Sequence, residues 1–311
     1  MQNRTRSGIA YLCLGVLVFS LQDAIIKQVS GEYPVTQAVC IRSLVALPIL
    51  ALFVHFEAGL KAISSPKFWW LMLRAGALFV SYTTYYLAFP ALPLAEAVAL
   101  FFTVPLFITV LAGPLLGEIV GWRSWGAVAA GFAGVLIMLQ PGSALFEPAA
   151  VLSLMSALMY AGSALMTRRL GASEPASVMA LYQNFVFLAG SAALALLLND
   201  MEIGSVSHPS LDFLVRPWAI PSNIDLMLMI ACGAIAATGT LLLTHAYRIA
   251  QANRITSFEF TGILWVPLWG FLFFSEIPKS TTVLGAALIV ASGLIALRGS
   301  QPEPAIAIRR G

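Results

Sequence analysis

Charge is what this sequence has least of. Only 10% of its 311 residues are Asp, Glu, Lys or Arg, against roughly 25% in an ordinary soluble domain, too few to clothe a water-facing surface of this size. A water-soluble enzyme, a disordered linker protein and a nucleic-acid-binding domain are excluded on that ground. Cysteine is scarce too. Cys13, Cys40 and Cys232 all lie inside apolar runs, which leaves neither a disulfide framework nor a CxxC metal or redox site. The chain has no HExxH, Cys/His cluster, GxSxG elbow, P-loop or GxGxxG, so it offers no catalytic constellation, metal site or cofactor site. What it has in excess is apolar: 59% hydrophobic residues and a mean hydropathy of +0.89. Lipid is the solvent for most of it.

A transmembrane helix needs about 20 mostly apolar residues, and ten such runs are readable. The first five are about Gly8–Ile26, Val35–His55, Phe68–Leu87, Ala95–Leu116 and Trp122–Leu139. The second five are about Pro148–Met166, Ala176–Leu198, Leu226–Ala246, Ile255–Phe274 and Thr282–Leu297. Helices follow because lipid offers no partner to free backbone groups. The first run is too long for a signal-peptide core and ends in Asp23 and Lys27, so it counts as a span.

Basic residues orient the spans. A cytoplasmic N-terminus puts Arg4, Arg6, Lys61, Lys67, Arg123, Arg168, Arg169, Arg248, Arg254, Arg298, Arg309 and Arg310 inside, and only Lys27, Arg216 and Lys279 outside. Both termini are therefore expected in the cytoplasm, with the protein in the inner (plasma) membrane. The long loop about 199–224 is then external, an ordered flap or, more simply, a plain connector.

The halves 1–141 and 142–311, the second ending in a basic cytoplasmic tail, read as two versions of one unit. Lys27 ends span one as Arg168 ends span six, and Leu116-Gly117-Glu118 closes span four as Phe274-Ser275-Glu276 closes span nine. Gly-rich spans five and ten follow, suited to close helix contact. Five spans per half invert the second copy relative to the first. An inverted repeat points to an alternating-access carrier with its site near the midplane. Pro105 in span four and Pro267 in span nine are expected helix interruptions, each removing an i to i−4 hydrogen bond.

Charges inside the bilayer cost at least about 2.5–3.5 kcal/mol and need a partner or a role. Asp23 and Arg42 lie at similar depth and are expected to form an ion pair bracing spans one and two, with Lys27 competing for the carboxylate; a substrate or proton role is the other reading. Arg74 has Glu259 and Glu118 as candidate partners. Glu259 either locks the inner face with Arg74 or Arg254, or binds a cation or a coupled proton. His245 is a packing residue or a polar group of a site. Gln183 and Asn184 stand where Arg42 stands in span two and are expected to hydrogen-bond across helices.

Span three carries Phe79, Tyr82, Tyr85 and Tyr86, of which Phe79, Tyr82 and Tyr86 share one face. Tyr82 is too deep to be an interfacial anchor. With Phe101, Tyr160 and Trp265, these tyrosines either pack the core or line a cavity for a flat or amphipathic solute, with Thr240, His245 and Glu259 fixing its orientation.

Phe19-Ser20-Leu21-Gln22-Asp23-Ala24-Ile25-Ile26-Lys27, Ile41-Arg42-Ser43-Leu44, Val104-Pro105-Leu106-Phe107 and Leu116-Gly117-Glu118 resemble the first half of an EamA-type carrier of the drug/metabolite transporter superfamily. Phe273-Phe274-Ser275-Glu276-Ile277-Pro278 and the run Gly285–Gly293 resemble the second half. The resemblance spans essentially the whole chain and is specific for the fold. It implies an all-α polytopic membrane protein of ten transmembrane helices in two inverted five-helix EamA repeats, with a central cavity and spans five and ten at the periphery. It also implies secondary transport of a small organic metabolite: an amino acid, as in YddG-type exporters, or S-adenosylmethionine, riboflavin, a sugar or a drug. Asp23-x-x-x-Lys27 and Leu73-Arg74 are most similar to the S-adenosylmethionine-type carriers; the tyrosine-rich third span suits an aromatic amino acid. One departure stands out: Ile263 holds the place in span nine that Pro105 holds in span four, and Pro267 comes one turn later. The expected partners are a small-molecule substrate and the lipid bilayer, with a coupled proton if Glu259 carries one. No cofactor, metal or nucleic acid is expected, and the protein is a monomer or a homodimer.

Overall fold

Long apolar stretches punctuated by Gly, Pro and Ser give a chain built of helices. The computed structural model describes residues 2–116, 121–140, 147–170, 174–200, 207–249 and 256–299. Side chains within these helices that include Pro105, His245 and Glu259 lie outside the description, as does Glu118 altogether. The helices are α1 (Gln2–Val29), α2 (Val35–Glu57), α3 (Phe68–Ala88), α4 (Leu94–Phe101), α5 (Val104–Leu116) and α6 (Trp122–Leu139). They continue with α7 (Ala149–Leu170), α8 (Ala176–Asp200), α9 (Pro209–Val215), α10 (Asn223–Ile249), α11 (Gly262–Phe274) and α12 (Ser280–Gly299). No strand occurs among the described residues.

Among the described residues, six stretches are long and apolar enough to cross a membrane: Arg6–Val29, Val35–Glu57, Leu94–Leu111, Ala149–Thr167, Ala176–Asn199 and Asn223–Leu243. Shorter apolar helices run over Trp125–Met138, Leu264–Phe274 and Ser280–Ile295. Large apolar side chains such as Leu52, Leu196, Met227 and Leu264 point outward uncovered. On a soluble protein so many would form an aggregation surface; on a multi-pass membrane protein they meet acyl chains.

The main pairings set α1 along α10, α3 along α7, α2 along α8 and α6 along α12. Small residues allow the closest of these. A β-carbon on Gly285 of α12 would stand 2.6 Å from the Gly134 carbonyl oxygen of α6 and 2.2 Å from Met138 Cγ, so the backbones touch where any larger residue would part them.

The prolines act differently from expectation. The fourth apolar run does break, but at Phe102 and Thr103, where Thr103 N donates to the Leu100 carbonyl at 3.1 Å and Leu106 N to the Thr103 carbonyl at 2.9 Å. Pro105 falls in the first turn of α5, where a missing N–H costs nothing. Pro267 lies inside an unbroken α11. The irregular segment on that side is instead the 3-10 stretch Thr256–Thr261 just before it.

Candidate functional site

α2, α3, α8 and α10 place polar side chains on faces that meet inside the bundle. On α8 the spacing Ala180, Gln183, Asn184 and Phe187 is i, i+3, i+4, i+7, one face of a helix. With Phe19 of α1, Arg42, Ala46 and Leu50 of α2, Tyr82 of α3, and Ala236 and Thr240 of α10, these residues line a narrow cavity of about 50 Å³. Gly233 lets α10 approach α2 closely here: a β-carbon on it would lie 2.7 Å from the Arg42 carbonyl oxygen.

Arg42 is the charged group of this cavity, and it is 3% exposed. Its guanidinium carbon lies 5.3 Å from the Phe187 ring centroid, 5.9 Å from that of Tyr82 and 6.0 Å from that of Tyr86. Such a cage of ring faces stabilises a desolvated cation. Nη1 donates to Tyr86 Oη at 3.1 Å. The Gln22 side-chain oxygen accepts from Tyr86 Oη at 2.7 Å and from Arg42 Nη1 at 3.3 Å, while its amide nitrogen donates to the Cys232 carbonyl at 3.2 Å.

The expected Asp23–Arg42 ion pair does not form. Asp23 Oδ2 accepts from Tyr85 Oη at 3.0 Å, while Arg42 Nη1 donates to the neighbouring Tyr86 Oη at 3.1 Å. Lys27 does not compete for Asp23 either. Its Nζ is 2.6 Å from Glu276 Oε1 and donates to the Leu92 carbonyl at 2.6 Å. Arg74 binds Thr167 Oγ1 through Nε at 2.6 Å and the Met179 carbonyl through Nη1 at 3.3 Å, with no acidic partner among the described residues. A neutral hydroxyl and a carbonyl thus hold it against α7 and α8.

Of the residues singled out in the sequence for a solute, Tyr82 and Thr240 reach this cavity. Tyr86 stands behind Arg42, wholly buried. Phe101 and Tyr160 pack on each other at 5.3 Å, and Phe101 on Tyr85 at 4.9 Å, in a separate aromatic cluster between α4 and α7. Trp265 is apart from the cavity, its indole N–H buried without a partner. The side chains of His245 and Glu259 lie outside the described residues. Phe19, Ala46, Leu50, Ala180, Phe187 and Ala236 were not signalled, being ordinary apolar residues on helix faces. Asn184 does bond across helices, donating to the Ser43 carbonyl at 2.8 Å, but it lines the cavity as well.

One end of the bundle is sealed. Glu276, following α11, pairs with Lys27 of α1 and accepts from Leu94 N at 2.8 Å where α4 begins, a carboxylate at a helix N-terminus. Residues 207–222 are no plain connector but an ordered cap. Phe213 of α9 is 0% exposed in the main core. Gln37 exchanges two hydrogen bonds with Ala219, at 2.6 and 3.1 Å, and Trp218 Nε1 donates to Thr36 Oγ1 at 3.0 Å. Tyr33 Oη donates to Asp225 at 2.8 Å and accepts from Ser222 N at 3.1 Å. His208 meets Glu147 at 3.0 Å, and Arg216 pairs with Asp212.

A multi-pass helical bundle with a polar-lined internal cavity suits a membrane transporter, and the named relatives are transporters. Residues 6–140 match the EamA-like transporter family. The pseudopaline exporter CntI of Pseudomonas aeruginosa is 27% identical over 92% of this chain and 94% of its own. The riboflavin transporter of Rhizobium johnstonii is 29% identical over 95% and 92%. The S-adenosylmethionine uptake transporter of Rickettsia prowazekii is 22% identical over 93% and 91%. One solved crystal structure superposes with a TM-score of 0.60 at 17% identity over 95% of this chain and 97% of that one, a likeness of fold. Over residues 6–140 the chain is thus similar to the EamA-like transporters, and the relatives that align along nearly its whole length are named as transporters, not enzymes.

Proposed function

We propose that the protein is a secondary transporter that moves a small amphipathic organic metabolite, an amino acid or similar aromatic solute, across the inner membrane by alternating access. Carriage of S-adenosylmethionine, riboflavin or a drug is the alternative substrate reading, supported by the names of relatives. The architecture we propose is ten spans in two inverted five-helix repeats, residues 1–141 and 142–311, with both termini cytoplasmic. The helix pairings support it. If spans one to five exchange with six to ten, the pair α1 with α10 maps onto α7 with α3, while α2 with α8 and α6 with α12 map onto themselves. The sealed end is then the outer face.

The observation that supports the reading is the cavity walled by α1, α2 and α3 together with α8 and α10, since a rocking carrier holds its solute between its repeats near the midplane. Saturable uptake by proteoliposomes tests it. Tyr82→Ala is expected to lower that uptake about tenfold, since a stacking and hydrogen-bonding wall is lost. With Glu259 as the coupling carboxylate, an imposed proton gradient accelerates uptake in wild type and not in Glu259→Gln. Uptake indifferent to Tyr82→Ala contradicts the site; uptake indifferent to the gradient makes the protein a facilitator. We propose a monomer or a homodimer.

A further inference from the structure

Three polar groups in the cavity wall are uncommitted. Arg42 uses Nη1 on Tyr86, while Nε is buried with no partner and Nη2 makes no hydrogen bond among the described residues. The Tyr82 hydroxyl and the Gln183 amide, both in the lining, likewise make none there. By contrast Thr240 donates to the Ala236 carbonyl at 2.8 Å, and Asn184 is taken by Ser43. Nε and Nη2 are neighbouring donors on one edge of the guanidinium, and that edge matches the two oxygens of a carboxylate.

A buried cation without a counterion is costly. The protein's own candidate, Asp23, is held by Tyr85 and is not among the described residues that line the cavity. Among the described residues that line the cavity none is a carboxylate, and Arg42 is the one that carries charge. The remaining walls are ring faces, Phe19, Tyr82 and Phe187, with small Ala46, Ala180 and Ala236 between them.

Resting on the transport reading above, we infer that Arg42 receives a carboxylate of the transported solute. One oxygen sits on Nη2 and the other on Nε, the flat part of the solute lies against Tyr82 and Phe187, and Gln183 takes a further polar group. The substrate class is therefore an aromatic or amphipathic solute bearing a carboxylate, and its neutral or purely cationic analogues are rejected. Rejection follows because they leave the Arg42 edge unpaired, a loss worth about tenfold or more for a hydrogen bond to a charged group.

The test compares two pairs of probes with wild-type protein in proteoliposomes: L-tryptophan with L-tryptophanamide, and indole-3-acetate with indole-3-acetamide. Each acid is expected to be taken up saturably and about tenfold better than its amide. Arg42→Gln erases the preference by lowering acid uptake, and Arg42→Lys, which keeps the charge but loses the fork, falls between. The wild-type comparison stands even if Arg42→Gln fails to fold. Saturable uptake of acid and amide alike, or acid uptake unchanged in Arg42→Gln, overturns the role of Arg42 and leaves the transport reading intact. No saturable uptake of any of the four overturns the aromatic-solute reading itself, and the inference with it.

Discussion

Joining positions 27 and 276 is expected to abolish flux, and cutting the link to restore it. The experiment uses Lys27→Cys and Glu276→Cys in a chain whose Cys13, Cys40 and Cys232 have been replaced, bridged by a short reducible bis-thiosulfonate linker. The native pair lies 2.6 Å apart with side chains only 11% and 23% exposed, and Lys27 Nζ also sits 5.3 Å from the Phe274 ring centroid. Glu276 at the same time caps α4. One contact thus ties α1 and α4 to the α11–α12 turn. A solute leaving through this face must part them, giving up charge-assisted hydrogen bonds of about 1.5–3 kcal/mol each, a cost that solute binding to the alternate state offsets. A covalent link cannot be offset. Flux at the unlinked rate in fully bridged protein contradicts this gate.

Tyr86→Ala carries the largest expected loss of stability. The side chain is wholly buried, packs on Tyr82, Tyr85 and Phe89 with ring centroids 5.9, 5.7 and 5.6 Å away, and accepts from Arg42. Emptying such a site costs about 3–5 kcal/mol for the cavity alone. Arg42 and Gln22 also lose their shared hydroxyl, so the buried guanidinium keeps only its 3.3 Å hydrogen bond to the Gln22 side-chain oxygen. Tyr86→Phe separates the two effects, keeping the ring and costing about 1–3 kcal/mol for the orphaned polar groups. Thermal unfolding of the detergent-solubilised variants reads both. Equal stability of Tyr86→Phe and wild type contradicts the account of Arg42 as a cation held by this hydroxyl.

How much of this was legible depends on what each feature rests on. Apolar runs and missing charge reach the membrane class and the helices because lipid tolerates little else. The break in the fourth run was legible from Pro105 as a place, though not as a geometry, since the chain starts α5 afresh at Val104 instead of kinking through the proline. Arg42 was visible as a charge that needs a reason. Its true surroundings were not, because equal depth on adjacent helices says nothing of which side chain each charge meets: Asp23 binds Tyr85 and Arg42 binds Tyr86. Lys27 and Glu276 were each visible at a helix end. Their pairing joins residues far apart in sequence and depends on how α11 leans on α1. The cap over residues 207–222 was hidden because its anchors are backbone and side-chain hydrogen bonds from Gln37, Thr36 and Tyr33, which no local pattern announces. Phe187 and the alanines of the cavity look like any lipid-span residue until the helices are assembled.

The central claim is that solute crosses through the cavity between Arg42, Tyr82, Gln183 and Thr240, and filling that space tests it most directly. Ala236 lines the cavity on α10, and Ala236→Trp puts an indole into it. Uptake of a saturably transported probe is compared between wild type and Ala236→Trp, reconstituted at equal density with matched thermal stability. The expected result is saturable uptake by wild type and only the lipid leak with the variant. Wild-type uptake rates through Ala236→Trp would place the path elsewhere.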